Sequence, residues 1–440
     1  MDPALEEKNM NTLSQRLQWF QAARFGIFIH WGIYSVLGRG EQIMSRDLMP
    51  LEEYEPLAAE FNPPSDWAKK LAEKVKASGA KYAVLTTRHH DGYCLFKTAT
   101  TPFNAAETGP ERDLVREYVD TFREAGLRIG FYYSIMNWRR HGFWDAEHYP
   151  ADLPKLVEEI HRQVEELMTN YGKIDILWYD VSAVPGSRTP GLWLGSGVSD
   201  NAADFYRSGE LNRRVRELQP EILINNRAGT AGDFTTPEQF IQSHGDLAWE
   251  TCMTLNPAPG WGFLKKSLTD KTVNEVIFNM MDAVRLGGNF LLNVGPDSSG
   301  SIDRREGPVL EQIGSWLSVN GEAVYNTMPE GIYDLSAKRE QGPCFHYGIW
   351  TCRGKTAYLT LFYYPEEYLV VSKIRPEIKK AVVLKDGREL NIEQTSNSRS
   401  ILRGLPASDT IDMPPVIRVE FAAPPQAVNT RTAAWLDGGF

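Results

Sequence analysis

Residues able to do chemistry stand at the ends of short apolar runs in this chain. Asp180 closes IDILWYD (174–180), and His30 and Trp31 close FGIFIHW (25–31). Arg88, His89, His90 and Asp91 end the run that begins YAVLTT, and Tyr132, Tyr133 and Ser134 end RIGFYYS. Asn225, Asn226 and Arg227 end EILINNR, and Asn293 lies near the end of NFLLNVG. Histidine is scarce, yet three of the eight fall at such ends, more than a random scatter would place there.

Two chemistries fit this set. In the first, His30, His89, His90 and Asp180 bind a divalent metal, as in barrel hydrolases. Against it, the first strand reads H-W-G rather than H-x-H, and no lysine stands where it would bridge two metals. In the second, no metal or cofactor is needed: imidazoles and indoles hold a sugar while two carboxylates work on it, one ionised and one carrying a proton. Asp180 suits the ionised role, and Trp178, two residues earlier, shares its strand face. The partner must come from a later loop, where Asp233 and Glu238 lie in GTAGDFTTPEQF and Glu250 in LAWETCMT. Plainer readings stand beside these: Asp180 as a helix cap, His89 and His90 on opposite faces with one supporting the other, Arg227 as a surface residue.

The elements that must position these groups alternate. Strands are expected at 25–31, 82–89, 128–135, 174–180, 221–227 and 289–295, with a weaker one near 247–254. Helices are expected at 65–79, 111–126, 153–172, 204–219, 272–288 and 304–321. In the first, Trp67, Leu71 and Val75 recur at fours, with Ser65 as N-cap and Gly79 just past the end. Leu114, Tyr118 and Phe122, then Leu156, Ile160, Val164 and Leu167, make equivalent stripes. About seven strand–helix units with buried strands predict an α/β fold, a TIM-like (β/α) barrel whose active site lies at the C-terminal strand ends. No GxGxxG follows a strand, so a dinucleotide fold lacks its main mark. Beyond about Gly331 the runs turn short and β-rich, which predicts an antiparallel β-sandwich. The division expected is 1–335 and 336–440.

Composition narrows the classes. The 440 residues carry a net charge of −10, which leaves no basic surplus for nucleic acid. No apolar run reaches eighteen residues, so no membrane span is expected. The first ten residues, MDPALEEKNM, are acidic and polar and lack the marks of a signal peptide. As it stands the chain reads as cytoplasmic, or as secreted or periplasmic had a leader been removed. Cys94, Cys252, Cys344 and Cys352 form no CxxC pair, and a bridge between the last two is left open, as is a homo-oligomer.

With these residues in view, the chain resembles the α-L-fucosidases of glycoside hydrolase family 29 from about residue 18 to 330. The resemblance rests on WFQAARFGIFIHWGIYS, AKYAVLTTRHHDGY, IGFYYSIMNW, IDILWYD, FTTPEQF, WETCMT, GWGF and GGNFLLNVGPDSSGSI. It implies a retaining exo-α-L-fucosidase acting on terminal fucose of a glycan or glycoside, with a barrel and a C-terminal β-sandwich. Asp180 would be the nucleophile and Glu238 the acid/base, with Asp233 and Glu250 as alternatives. His30, His89, His90 and Glu41 would bind fucose hydroxyls. Tyr133 and Arg227 would flank the carboxylates, and Trp261 would lie near the fucose methyl group. Two departures stand out. Gln42 replaces the tryptophan of the usual GEW. Val181 replaces the glycine after the nucleophile and opens a Gly/Ser/Pro-rich insertion, where linkage preference would be set.

Overall fold

Eight short strands, each running the same way, form the sheet of the N-terminal part of the molecule. The computed structural model describes residues 3–180, 202–243, 247–256, 260–302, 304–328, 332, 347–396 and 398–428. The strands are β1 Phe25–Ile29, β2 Tyr82–Arg88, β3 Arg128–Ser134, β4 Ile176–Asp180, β5 Leu223–Ile224, β6 Phe234–Thr235, β7 Ala248–Met253 and β8 Asn289–Val294. Their order in the sheet is β5-β4-β3-β2-β1-β8-β7-β6, all parallel, and a bridge between Asn225 and Phe234 joins the two ends of the row. This is a (β/α) barrel, with strands buried on both faces as parallel sheets require.

The helical stripes face the barrel. Leu71, Val75, Tyr118, Phe122, Ile160 and Val164 are all buried in the layer between strands and helices. The expected cap at Ser65 is not used. The helix Trp67–Ala77 starts one residue later, at Asp66, whose side chain makes no capping bond and pairs with Lys70 instead, at 2.8 Å. The helix expected over 204–219 is two, Ala202–Phe205 and Ser208–Leu218, broken where Arg207 takes a left-handed φ of 51°.

Three further differences concern β5, β6 and the N-terminus. The strand expected over 221–227 shrinks to Leu223–Ile224, because the side chain of Asn225 takes over the ladder. Its Oδ1 accepts from the Tyr179 amide and its Nδ2 donates to the Tyr179 carbonyl, both at 2.9 Å. The strand not expected from the sequence, β6 at Phe234–Thr235, is two residues long and offers no periodicity to detect. The N-terminal helix Pro3–Ala23 was not foreseen either. Its buried Leu17 and Phe20 close the lower end of the barrel interior, with the Phe20 ring 4.9 Å from Phe234 and 5.8 Å from Tyr82.

The C-terminal region is antiparallel. One four-stranded sheet runs Ile378–Val383, Val416–Phe421, Thr356–Leu361, Gly348–Arg353, and one three-stranded sheet runs Tyr368–Ser372, Arg399–Arg403, Asn391–Ser396. Leu359, Ala381 and Val419 of the first share a core with Leu369, Val371 and Leu402 of the second, as in a β-sandwich. Trp316 Nε1 donates to the Pro414 carbonyl at 2.7 Å and Phe278 meets Phe362 edge-on at 5.0 Å, which docks this region on the barrel helices. The expected boundary at 335/336 and Cys344 lie outside the described residues, while Cys352 is a buried free thiol. No described helix is long and apolar enough to cross a membrane.

Candidate active site

Register decides which side chains reach the site. β3 and β4 pair Tyr132 with Trp178, Tyr133 with Tyr179 and Ser134 with Asp180. Side chains alternate along a strand, so Trp178 and Asp180 share the interior with Tyr132 while Tyr133 and Tyr179 point outward. Tyr132 donates its hydroxyl to Asp180 Oδ2 at 2.7 Å. Tyr133, expected beside the nucleophile, lies behind the sheet. It accepts from Arg88 at 2.7 Å and donates to Gln163 at 2.8 Å, inside a buried network with Glu159. Of the two, Tyr132 is therefore the one that faces Asp180, and the alternation set by Trp178 and Asp180 was the signal for it.

Arg227 joins the two carboxylates. Its Nη1 donates to Asp180 Oδ1 at 2.9 Å and its Nη2 contacts Glu238 Oε2 at 2.8 Å. One planar guanidinium serving both keeps their nearest oxygens within roughly 8 Å of each other. The guanidinium is itself held. Its Nε donates to Thr236 Oγ1 at 2.9 Å and Nη2 to the Thr236 carbonyl at 3.0 Å, and it lies 4.5 Å above the Trp178 ring. Thr236 was not singled out in the sequence, although it lies two residues from Glu238. Burial pushes the Glu238 carboxyl upward from its ordinary range, Arg227 pulls it down, and the Asp180 charge pushes it up again. Its side chain remains 23% exposed, open to the mouth of the site.

The three histidines converge. The strand ends at Arg88 with an irregularity in its pairing, so His89 and His90 are no longer on opposite faces of one extended run. The His89 ring lies 4.0 Å from His90, 5.8 Å from His30 and 5.6 Å from Tyr132 in near-parallel stacking. His90 Nε2 stands 3.6 Å from Asp180 Oδ2. Burial lowers His30 to about 4 and drives His89 and His90 well below the usual imidazole range, so all three are neutral. His30 Nδ1 bonds Asn293 Oδ1 and His90 Nδ1 bonds Ser134 Oγ, each at 2.6 Å, while His89 Nδ1 is buried without a partner among the described residues. Neutral imidazoles both donate and accept, which suits hydroxyl groups. No group of three or more His, Cys, Asp or Glu among the described residues is arranged to hold a metal ion.

Glu41 and Trp261 stand together beside His30. Glu41 Oε2 accepts the backbone N–H groups of Trp261 and Gly262, both at 2.8 Å, and Asn293 Nδ2 donates to the Trp261 carbonyl at 2.7 Å. A Cβ at Gly262 would meet the Glu41 backbone nitrogen at 3.0 Å, so the close approach favours glycine. The Trp261 ring lies 5.1 Å from His30. Glu41 Oε1 is buried with no partner among the described residues. Gln42, where a tryptophan was the family's habit, turns to Arg46 at 3.1 Å.

The two alternative acids lie elsewhere. Asp233 precedes β6 at the lower end of the barrel, where Oδ1 accepts from Arg16 at 3.1 Å and Oδ2 from Arg216 at 2.5 Å and from the Ile224 amide at 2.8 Å. Glu250 pairs in register with Asn289, the first residue of β8, and bonds Tyr82, the first residue of β2. Trp178 Nε1 donates down to Glu250 at 3.2 Å while its face meets Arg227, so the indole separates Glu250 from the two site carboxylates and serves as the floor of the site. Val181 and the insertion after it lie outside the described residues.

A parallel barrel whose C-terminal mouth holds two carboxylates on one arginine, ringed by neutral imidazoles and indoles, has the inventory of a carbohydrate hydrolase. Comparison sharpens the class. The Alpha-L-fucosidase family model matches residues 3–322. Tissue alpha-L-fucosidase of Mus musculus is 30% identical over 92% of this chain and 90% of that protein, and alpha-L-fucosidase of Dictyostelium discoideum is 26% identical over 91% of each. Alpha-L-fucosidase isoenzyme 1 of Paenibacillus thiaminolyticus superposes with a TM-score of 0.80 at 35% identity, covering 93% of this chain and 99% of that one. The GH29 alpha-L-fucosidase of Bacteroides thetaiotaomicron, solved as a trapped covalent intermediate, gives a TM-score of 0.77 at 27% identity over 94% and 96%. The chain belongs to the α-L-fucosidases of glycoside hydrolase family 29 and is an enzyme, a glycoside hydrolase.

Proposed function

We propose that the enzyme is a retaining exo-α-L-fucosidase acting by double displacement, with Asp180 as nucleophile and Glu238 as acid/base. One observation carries the assignment: a single guanidinium, Arg227, holds both carboxylates at 2.9 and 2.8 Å. Retention needs two carboxyl groups about 5–5.5 Å apart. In the first step Asp180 attacks the anomeric carbon, the glycosidic bond breaks, and Glu238 gives its proton to the departing oxygen. Burial and the nearby Asp180 charge both favour that proton on Glu238. Once Asp180 is esterified its charge is gone, one of the pressures holding the proton disappears, and Glu238 is better suited to take a proton from the attacking water. Tyr132 and Arg227 orient Asp180 throughout.

The substrate is a fucosylated glycan or glycoside. His89 Nδ1 and Glu41 Oε1 offer buried hydrogen-bonding positions that sugar hydroxyls can take, beside His30 and His90. Exo action is supported by the floor: Phe28, Tyr132 and Trp178 fill the barrel interior, with Phe28 and Trp178 5.0 Å apart, so the site is a dead end for one terminal sugar. The kinship with an enzyme solved as a covalent intermediate supports the covalent step.

The test is hydrolysis of an aryl α-L-fucoside by wild type, Asp180→Gly and Glu238→Ala, with and without azide and EDTA. Near-complete loss in both variants is expected. Azide should return β-fucosyl azide from Asp180→Gly and α-fucosyl azide from Glu238→Ala. Full activity in Glu238→Ala, or loss of wild-type activity with EDTA, counts against the proposal.

A further inference from the structure

Past β3, residues 135–149 leave the C-terminal end of the strand and lead to the helix Asp152–Asn170. The backbone N–H of Trp138 donates to the His90 carbonyl at 2.8 Å, and the Trp138 ring lies 5.0 Å from the His90 ring. Trp138 is buried, yet its indole N–H has no partner among the described residues. The next ring outward is Trp144, 6.1 Å from Trp138 and inclined by 36°. Trp144 is 53% exposed, and its Nε1 donates to the Trp138 carbonyl at 2.8 Å.

A lone exposed apolar side chain needs no explanation. Trp144 differs in two respects. Its ring is the outer end of a continuous line, His90 to Trp138 to Trp144, that starts beside Asp180. It is also held, by its own indole bond and by the pinned segment that leads to it. Asn137 donates to Glu159 at 2.8 Å, Arg140 pairs with Glu159, and Arg139 donates to Glu55 at 2.7 Å. A fixed aromatic face loses little freedom when a ligand settles on it.

We propose that Trp138 and Trp144 form a second saccharide subsite, which takes one further pyranose ring of the fucosylated substrate. The exposed Trp144 face packs on the C–H surface of that ring, and the Trp138 N–H supplies the neighbouring donor. The proposal rests on the fucosidase reading and names what lies beside the fucose pocket. An aromatic contact of this kind corresponds to roughly a tenfold change in binding.

The experiment compares α-L-fucosyl fluoride, whose leaving group is one atom, with fucosyl disaccharides carrying galactose or N-acetylglucosamine as the second sugar. For wild type, Trp144→Ala and Trp144→Phe, kcat/KM is measured on each. Trp144→Ala should lose about tenfold more on the disaccharides than on the fluoride, and Trp144→Phe should recover most of the difference. Equal losses on both substrates, or no loss on either, overturn the subsite. Tryptophan emission titrated with free galactose and N-acetylglucosamine gives a readout that needs no turnover. Quenching present in wild type and absent in Trp144→Ala supports the subsite, and its absence in wild type overturns it. A wild type that leaves the fluoride intact overturns the fucosidase reading instead, and the titration then decides the subsite.

Discussion

The two ends of the barrel interior use the same residue types in opposite ways. At the lower end the polar groups are saturated. Asp233 takes two arginines and a backbone amide, and Glu250 takes the Tyr82 hydroxyl and the Trp178 indole N–H. At the upper end one arginine is shared between Asp180 and Glu238, and His89 Nδ1 and Glu41 Oε1 are left without partners among the described residues. On the proposed mechanism, a carboxylate beside an arginine is thus structural at one end and reactive at the other. What separates them is position along the strand and whether hydrogen-bonding capacity is left for a ligand.

Substitution along this axis breaks or sharpens the contrast. The largest effect belongs to Asp180→Gly, expected to lower kcat/KM on an aryl fucoside by about 10⁴-fold with the melting temperature little changed. Glu238→Ala follows, with a loss of about 10²–10⁴-fold that is greatest for poor leaving groups, and with a flattened alkaline limb in the pH–rate profile. Asp233→Ala moves the other quantity. It strands Arg16 and Arg216 in a mostly buried setting and should cost about 3 kcal/mol of stability in denaturant unfolding, while kcat of the folded enzyme stays within about threefold.

The smallest effect tests the lower end by pH. Burial raises the Glu250 carboxyl from 4.5 to about 7. Between those values the folded chain keeps a proton that the unfolded chain has released. Stability from this group therefore falls as pH rises from about 4.5 to about 7, then levels. Glu250→Gln, close in shape to the protonated acid, should remove that slope. The variant should match wild type near pH 4.5 and exceed it by up to ~3 kcal/mol at pH 7.5 in denaturant midpoints. Activity should be nearly unchanged, whereas a large loss would place Glu250 in the reaction.

Much of this was legible from residues alone. Apolar strands and helix stripes announced the barrel, and Asp180 at a strand end announced the site. What stayed hidden was non-local. Asp233 and Glu238 stand five residues apart in one short segment, yet five residues of extended chain cover about 16 Å, enough to put them at opposite ends of the barrel. Tyr132 and Tyr133 are adjacent, and only the register with Trp178 and Asp180 turns one inward. β5 is shortened by the Asn225 side chain, a substitution of side chain for backbone that propensity does not report. The N-terminal helix reads as polar in its first ten residues, and Phe20 finds its place only once the barrel has a lower end to close.

The central claim is that Asp180 bonds to the sugar. Incubation with 2-deoxy-2-fluoro-α-L-fucosyl fluoride, followed by proteolysis and peptide mass mapping, tests it directly. The account predicts one fluorofucosyl adduct per chain, on the peptide that contains Asp180, and none in Asp180→Gly. An adduct on the Glu238 or Glu250 peptide, or turnover with inverted configuration and no adduct, would contradict it.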